Sequence, residues 1–581
     1  MYALFTSASA LRCPIACRSW IAMKSSIIGI RCTSFCLEGT LIASVLLPSW
    51  LNDSHNRDHS GMQTWEYAPQ FALRTYTYLY PLLGVSKLYT FLLPTIPLAS
   101  MLVGREVTHD RMALFILLRA TLAGVMGLAE VNFLTAISEQ VPFHRSLTRQ
   151  PLVSREVSYA TGFMLLTSAG MAHASGALLP SSSFLLAWLL SASCYTRQQV
   201  TPFIIIAVTA TLAIGWPFGV VCLIPMGVHI LWTSERPMKL LLVTFMYSIV
   251  VQAMVMCIDF THYGRWTSAT YNIFRYNARG GGDELYGVEP TSYYLKNTLL
   301  NINYLAGLSL IVLPVCFYRR NLGSPLPTPL VTLTASLYFW LAIVVPRPHK
   351  EERFLFPIYA IAILSAVVVL EQLWLSVKGR RTIWFLTLLP SSMIGVSRTM
   401  ALAKYYTSPL DVYAAIPSTA TGSVCTCGEW YRFPSSFMLP PETRLAFSKS
   451  SFTGQLPKPF EAEGSRAGTN FNDANREEQD RYVNMEECAY VVEMDEVGAS
   501  CVVAMEQSHI VWTKIVSHQY LDAEHTSILH RVLYLPFLHE RFGSVMYHSY
   551  SLYKQEANKV WWVNSDTQSI VLYCQWLHTY I

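Results

Sequence analysis

Two carboxylates, two cations and a histidine stand side by side at His349-Lys350-Glu351-Glu352-Arg353, with apolar runs closing in from Leu330 to Val345 and from Phe354 to Leu370. An ionised group costs roughly 2.5–3.5 kcal/mol at the centre of a membrane helix, so charge this close to a bilayer marks either a site or a solvated loop. Lys350 and Arg353, with Arg347 and His349 before them, offer donors suited to a phosphate. Glu351 and Glu352 offer acceptors suited to sugar hydroxyls or to a proton. On these residues alone, the competing reading is a loop exposed to water between two helices.

The elements that must hold such a block are apolar. The chain has 581 residues, of which 52% are hydrophobic and 14% charged, with a mean hydropathy of +0.32. Soluble domains carry roughly 25% charged residues, so the deficit indicates a polytopic membrane protein. A net charge of +5 is small for this length and gives no case for nucleic acid. Runs long enough to span a bilayer occur at 78–103, 112–137, 157–177, 202–233, 239–259, 293–317, 326–346, 354–375 and 382–402. A shorter run at 183–195 completes a hairpin with the run before it, and 37–51 is a weak first span. Trp216-Pro217 interrupts the 202–233 run, which predicts a bent or re-entrant segment. The expectation is about 10–11 spans.

Basic loops set the orientation. Arg319-Arg320 and Lys378, Arg380 and Arg381 flank the two helices around the charged block, on the side opposite to it. The positive-inside rule puts those clusters in the cytosol and the block across the membrane. Counting helices from there places Trp65-Glu66-Tyr67, the 260–292 loop and everything after 403 on the block's side. The 138–156 loop, with Arg145, Arg149 and Arg155, falls there too and runs against the rule. Arg119 and Glu130 lie within one apolar run and share a helix face, but roughly 16 Å of rise keeps them apart, so each needs its own partner in the bundle.

Residues 403–581 change character. Charge rises and alternation such as Tyr490-Val491-Val492-Glu493-Met494 predicts strands, so a soluble α+β domain is expected there. Four of the thirteen cysteines (Cys194, Cys222, Cys257, Cys316) lie in apolar runs as small core residues. Cys425 or Cys427 can pair with Cys488 if this region faces an oxidising compartment. No cluster of metal ligands is evident, and no glycine-rich phosphate loop.

The block read as Arg347-Pro348-His349-Lys350-Glu351-Glu352-Arg353-Phe354-Leu355-Phe356-Pro357 resembles the signature of glycosyltransferase family 22, the endoplasmic-reticulum mannosyltransferases that use dolichyl-phosphate mannose. Gly61-Met62-Gln63-Thr64-Trp65-Glu66-Tyr67-Ala68-Pro69 with Ala72-Leu73-Arg74, Gly215-Trp216-Pro217-Phe218 and Asp283-Glu284-Leu285-Tyr286-Gly287-Val288-Glu289-Pro290 match further blocks. The stretches Glu429 to Phe437 and Gly454 to Phe460 are similar to the branch that makes alpha-1,2 linkages in N-glycan precursor assembly. The resemblance covers about residues 61–553. It implies a polytopic α-helical membrane protein of the GT-C type with a luminal C-terminal α+β domain. It also implies transfer of mannose from dolichyl-phosphate mannose to a dolichyl-pyrophosphate oligosaccharide, with no cofactor and no metal. The expected organisation is 1–60 unmatched, 61–402 a multi-span glycosyltransferase domain, 403–553 the luminal domain and 554–581 an unmatched tail.

Such a displacement needs a carboxylate to take the acceptor's proton, cations for the departing phosphate and a groove that excludes water. The phosphate is assigned to Arg347, His349, Lys350 and Arg353, and sugar and acceptor contacts to Trp65, Tyr67, Tyr286, Glu289, Glu351 and Glu352. The aromatic residues, Tyr294 among them, equally suit helix packing at a bilayer edge. The acidic pair that the family carries some twenty residues before Trp-Glu-Tyr has no counterpart in Leu41 to Trp50. Glu66 and Asp58 are the remaining candidates for the base. That departure keeps a catalytically impaired relative as the alternative, while a transporter is disfavoured because no repeated halves with paired discontinuous helices are visible.

Overall fold

The computed structural model describes residues 61–92, 111–139, 141–142, 149–279, 282–374, 380–431, 436–459, 470–495, 500–508, 510–537 and 545–556. Asp58, the weak span at 37–51 and the unmatched segment 1–60 lie outside them.

The apolar runs become helices, and several are broken. In chain order they are α1 (Tyr80–Leu92), α2 (Arg111–Ser138), α3 (Arg155–Thr167), α4 (Ala169–Ser175), α5 (Pro180–Thr196), α6 (Val200–Ala213), α7 (Ile224–Thr233) and α8 (Pro237–Tyr263). After them come α9 (Ala269–Ala278), α10 (Ser292–Ile302), α11 (Leu305–Leu310), α12 (Val312–Asn321), α13 (Thr328–Val344), α14 (Tyr359–Trp374) and α15 (Arg380–Tyr405). Among the described residues, Arg111–Ser138, Pro237–Tyr263 and Glu352–Trp374 are each long and apolar enough to cross a membrane. Helices α4 and α5 qualify together but turn by 103° at their junction. Shorter apolar helices are α6, the stretch Pro217–Thr233 and α13.

The breaks have local causes. Pro217 has no N–H to give to a continuous helix, and a 3-10 turn over Pro217–Leu223 replaces it. The 157–177 run divides at Ser168, whose hydroxyl accepts from the N–H of Met171 and starts a new helix. The 293–317 run divides at Asn303, which has φ 46°; its side chain bonds Ser391 at both ends, donating to the carbonyl at 3.1 Å and accepting from the hydroxyl at 2.7 Å.

Helix α14 is the centre of the bundle. Every residue from Tyr359 to Leu370 is buried, so a helix that is apolar all round is enclosed all round. By contrast α8 exposes Leu241, Leu242, Phe245, Met246, Ile249, Val250 and Met254, the surface of a helix whose solvent is lipid.

Past α15, a short helix α16 (Ser408–Ala414) leads into a five-stranded mixed sheet. Its strands are β4 (Gly422–Thr426), β5 (Thr443–Phe447), β7 (Cys488–Met494), β8 (Trp512–Leu521) and β9 (Tyr547–Gln555), ordered β5-β4-β7-β9-β8. The first three run parallel, while β9 lies antiparallel to both β7 and β8. Alternation in β7 works as expected: Tyr490, Val492 and Met494 join Met62, Leu114, Phe115 and Leu118 of the membrane portion, and Val491 faces the other way. A two-residue pairing of β1 (Met62–Gln63) with β6 (Lys458–Pro459) ties the first loop to this domain. The remaining two-residue pair joins β2 (Val141–Pro142) to β3 (Arg149–Gln150). Cys425 pairs with Cys488, and Cys427 with Cys501.

Candidate active site at the charged block

The block sits where α13 ends and a 3-10 turn over Glu352–Ile358 leads into α14. The indole N–H of Trp340 donates to the carbonyl of Phe354 at 2.7 Å and fixes the returning chain. Within the block Glu351 is the hub. It accepts from His349 Nε2 at 2.8 Å and from Arg353 Nη2 at 2.6 Å, with Arg353 Nε also against it. His349 Nδ1 lies 3.0 Å from the carbonyl of Gly287. Carbonyl and carboxylate can only accept, so the ring makes both contacts only when both nitrogens carry protons. The hydrogen bond to Glu351 raises the His349 pKa above its usual 6.5, against the opposing effect of burial. Burial disfavours the Glu351 carboxylate, but Arg353 and His349 outweigh it and hold its pKa down at about 2.

The neighbouring charges serve other ends. Lys350 is 5% exposed, and its ammonium donates to the carbonyls of Glu289 at 2.9 Å and Arg347 at 2.5 Å. With the N–H of Glu289 bonded to the carbonyl of Pro348 at 3.1 Å, this lysine pins the 283–290 segment to the block. The side chain of Glu289 is exposed and that of Arg347 half-buried. Glu352 turns into the bundle and accepts from Asn301 Nδ2 at 2.8 Å; the same amide donates to Tyr359 Oη at 2.9 Å.

A chain of rings joins the matching segments. Trp65 stacks on Tyr286 with centroids 6.1 Å apart and planes 4° from parallel. Tyr286 meets His349 edge-on at 6.4 Å, His349 meets Phe354 at 6.2 Å, and Phe354 stacks on Trp216 at 6.4 Å. Segments separated by up to 289 positions, Trp65 to Phe354, therefore meet around one imidazole. Ring faces partly open to solvent, beside carboxylates, are surfaces on which a pyranose can stack and hydrogen-bond.

The first loop is held from beneath. Asp259 is fully buried near the end of α8 and accepts from Thr75 Oγ1 and the N–H of Tyr76, each at 2.9 Å. Tyr263 donates to the carbonyl of Arg74 at 2.5 Å. Gly215 has φ +67°, and a Cβ there would press on Thr75, so glycine allows the Trp216 segment to approach this loop. Glu66 is gripped by Arg74 through Nε at 3.1 Å and Nη2 at 2.9 Å. Both carboxylate oxygens of Glu66 are therefore engaged by one guanidinium.

Of the residues selected from sequence, Trp65, Tyr286, His349, Glu351 and Arg353 form one contiguous surface. Tyr67 lies elsewhere, 2% exposed among Tyr76 and Tyr263, and burial drives its phenol pKa well up. Tyr294 is equally buried. Both are packing residues in this structure. Sequence reasoning gave no role to Asn301, Arg74 or Asp259, although Arg74 lies in a matching block and Asp259 is an acid at the last position of an apolar run. Among the described residues, the one group of potential metal ligands is Cys427, Glu493 and Cys501, far along the chain in the sheet domain, where the two sulfurs are joined to each other.

Comparison with known proteins identifies relatives along most of the chain. The model of the Alg9-like mannosyltransferase family matches residues 55–440. The alpha-1,2-mannosyltransferase ALG9 of Mus musculus is 33% identical over 547 residues, covering 86% of this chain and 83% of that protein. The Homo sapiens protein of the same name is 32% identical over the same coverage. A crystal structure of ArnT from Cupriavidus metallidurans in the apo state aligns with a TM-score of 0.41 at 13% identity, covering 74% of this chain and 84% of that one. With a family model across about two thirds of its length and relatives about a third identical over 83% of theirs, the chain belongs to the Alg9-like mannosyltransferase family.

Proposed function

We propose that this chain transfers mannose in alpha-1,2 linkage during N-glycan precursor assembly, from dolichyl-phosphate mannose to a dolichyl-pyrophosphate oligosaccharide, at the luminal face of the endoplasmic-reticulum membrane. The observation that carries the proposal is the convergence of Trp65, Tyr286, Trp216 and the charged block around His349. The imidazolium, joined to Arg353 through Glu351, supplies positive charge for the donor phosphate, with Arg347 two residues earlier in the chain. Glu351 orients His349 and Arg353, and Lys350 holds the 283–290 segment in place rather than spending its charge on substrate. Trp65 and Tyr286 receive a mannose ring.

The donor mannose is beta-linked and the product alpha-linked, which calls for one in-line displacement. A hydroxyl oxygen of the acceptor forms a bond to the anomeric carbon as the bond to the phosphate oxygen breaks. The bonding pair leaves with dolichyl phosphate, and the hydroxyl proton passes to a carboxylate. Glu66 takes that role once Arg74 swings away, or Asp58 takes it from outside the described residues. Fixed cations stabilise the leaving phosphate without a resident metal, so turnover should persist in EDTA.

The test is expression in cells lacking the alpha-1,2 enzyme, with the level of the chain verified and the lipid-linked glycans profiled. Extension of the stalled glycan by alpha-1,2 mannose is the expected result. A persistent stall at normal abundance would overturn the proposal.

A further inference from the structure

The C-terminal domain reaches the Trp65–Tyr286 surface by three separate ties, all from residues 458–475. Strand β6 pairs with β1, two residues before Trp65. Gln70 Nε2 donates to the carbonyl of Phe471 at 2.5 Å. Asn475 Nδ2 donates to the carbonyl of Leu285 at 3.0 Å, one residue before Tyr286. The other end of that amide is also used: Asn475 Oδ1 accepts from the N–H of Gln455 at 3.0 Å. The Asn475 backbone has φ 49°, a conformation asparagine tolerates better than most residues. Beneath the segment, Phe471 is 6% exposed between Lys458 at 5.4 Å and Arg481 at 5.0 Å.

This anchoring fixes what stands at the tip. Asp473 is exposed, and its negative charge is among those that bear on the Tyr286 hydroxyl. Tyr286 keeps 38% of its surface open and Trp65 is half-buried, with Tyr276 packed against Trp65 at 5.5 Å. The result is an aromatic floor from the membrane portion and a polar wall from the soluble domain. A pyranose has an apolar C–H face and a rim of hydroxyls, which is the complement of this pair of surfaces. One surface supplies the stacking and the other the hydrogen bonding.

We propose that the 470–478 segment is the wall of the acceptor-glycan subsite, with Asp473 accepting a hydrogen bond from a mannose hydroxyl of the acceptor and Asn475 positioning it. The proposal rests on the mannosyl transfer inferred above. It assigns to the C-terminal domain a part in choosing the acceptor, while the donor is held by the charged block.

The experiment uses the full chain in lipid nanodiscs and a radiolabelled polyprenyl-pyrophosphate oligomannoside as probe. Direct binding of the acceptor is measured, together with KM for acceptor and for donor. Asp473→Asn keeps the shape of an exposed side chain and should weaken acceptor binding about tenfold, the effect of losing a hydrogen bond to a charged group. Donor KM, and kcat at saturating acceptor, should not move. Asn475→Ala should act in the same direction by loosening the wall, with both disulfides intact on non-reducing gels. Unchanged acceptor binding in Asp473→Asn, or a rise in donor KM instead, would overturn the assignment. If the unsubstituted chain binds the acceptor but transfers nothing, the transfer proposal fails while the wall stands on the binding result.

Discussion

At the residue scale, one carboxylate governs the charged block. Glu351 holds two cations in place, and His349 makes both of its contacts only as an imidazolium. The signs of the two pKa shifts define a pH window. His349 is raised, so its contribution is complete below its usual 6.5 and is lost as pH climbs through the higher folded value. Glu351 is lowered, so its contribution is complete above its usual 4.5 and is lost as pH falls towards about 2. The cluster is therefore whole from mildly acidic to near-neutral pH and comes apart on the alkaline side first. Donor KM should rise with pH in the unsubstituted chain as His349 loses a proton. In His349→Gln it should start about tenfold higher, having lost a charge-assisted hydrogen bond, and should be flat across the same range. Steady-state transfer measured between pH 5.5 and 8.5 checks this. An alkaline limb that survives in His349→Gln would assign the titration to another group.

At the element scale, close helix contacts separate glycines that the fold requires from those it tolerates. Gly395 lies in α15 against the carbonyl of Thr167, where α3 ends, and an added Cβ would sit far inside van der Waals contact of that backbone atom. Backbone cannot rotate aside as a side chain does, so Gly395→Ala should cost about 1–3 kcal/mol, the usual penalty of overpacking. Gly84 in α1 has nothing within 4 Å of its would-be Cβ. Gly84→Ala should therefore be neutral or stabilising by up to about 1 kcal/mol through helix propensity. Thermal unfolding of the two variants in one detergent makes the comparison, and equal midpoints would refute the packing argument. The same scale shows what was legible in the sequence. Apolar length located the helices, and Trp216-Pro217 disclosed a break because proline lacks a donor. The breaks at Ser168 and Asn303 stayed hidden, since a capping hydroxyl and a side chain bonded to Ser391 leave apolar composition unchanged. The charged block was visible as a site for the same reason that it is costly near lipid. Which charges face outward was not visible. The commitment of Lys350 to two carbonyls and of Glu66 to Arg74 depends on chain segments that meet only in the folded state.

At the scale of the whole molecule, the soluble domain is fastened to itself by disulfides and to the membrane portion by the first loop, by packing on α2 and by the bond from Asn475 to Leu285. Cys425–Cys488 joins β4 to β7, and Cys427–Cys501 joins the end of β4 to a helix at Ser500–Gln507. They close loops of 63 and 74 residues, and residues 470–478 lie inside both. Constraining loops of that length in the unfolded chain stabilises the domain by about 4 kcal/mol each in the chain-entropy picture. Both pairs depend on an oxidising compartment, as a luminal domain would meet. The consequences of losing one are unequal across the molecule. The charged block hangs from α13 and α14, and α14 is buried from Tyr359 to Leu370 in clusters that contain no sheet residue. Residues 470–478, in contrast, lie inside both disulfide-closed loops and pack through Phe471 on Lys458 of β6. Replacing Cys425 and Cys488 together by serine removes one bond and leaves no unpaired thiol. Hydrogen exchange should then quicken through β4, β7 and 470–482 while α14 keeps its protection. Acceptor affinity should fall, and donor affinity should hold. If both affinities fell together, the sheet domain would be supporting the whole site, and the division of labour between the two portions would be wrong.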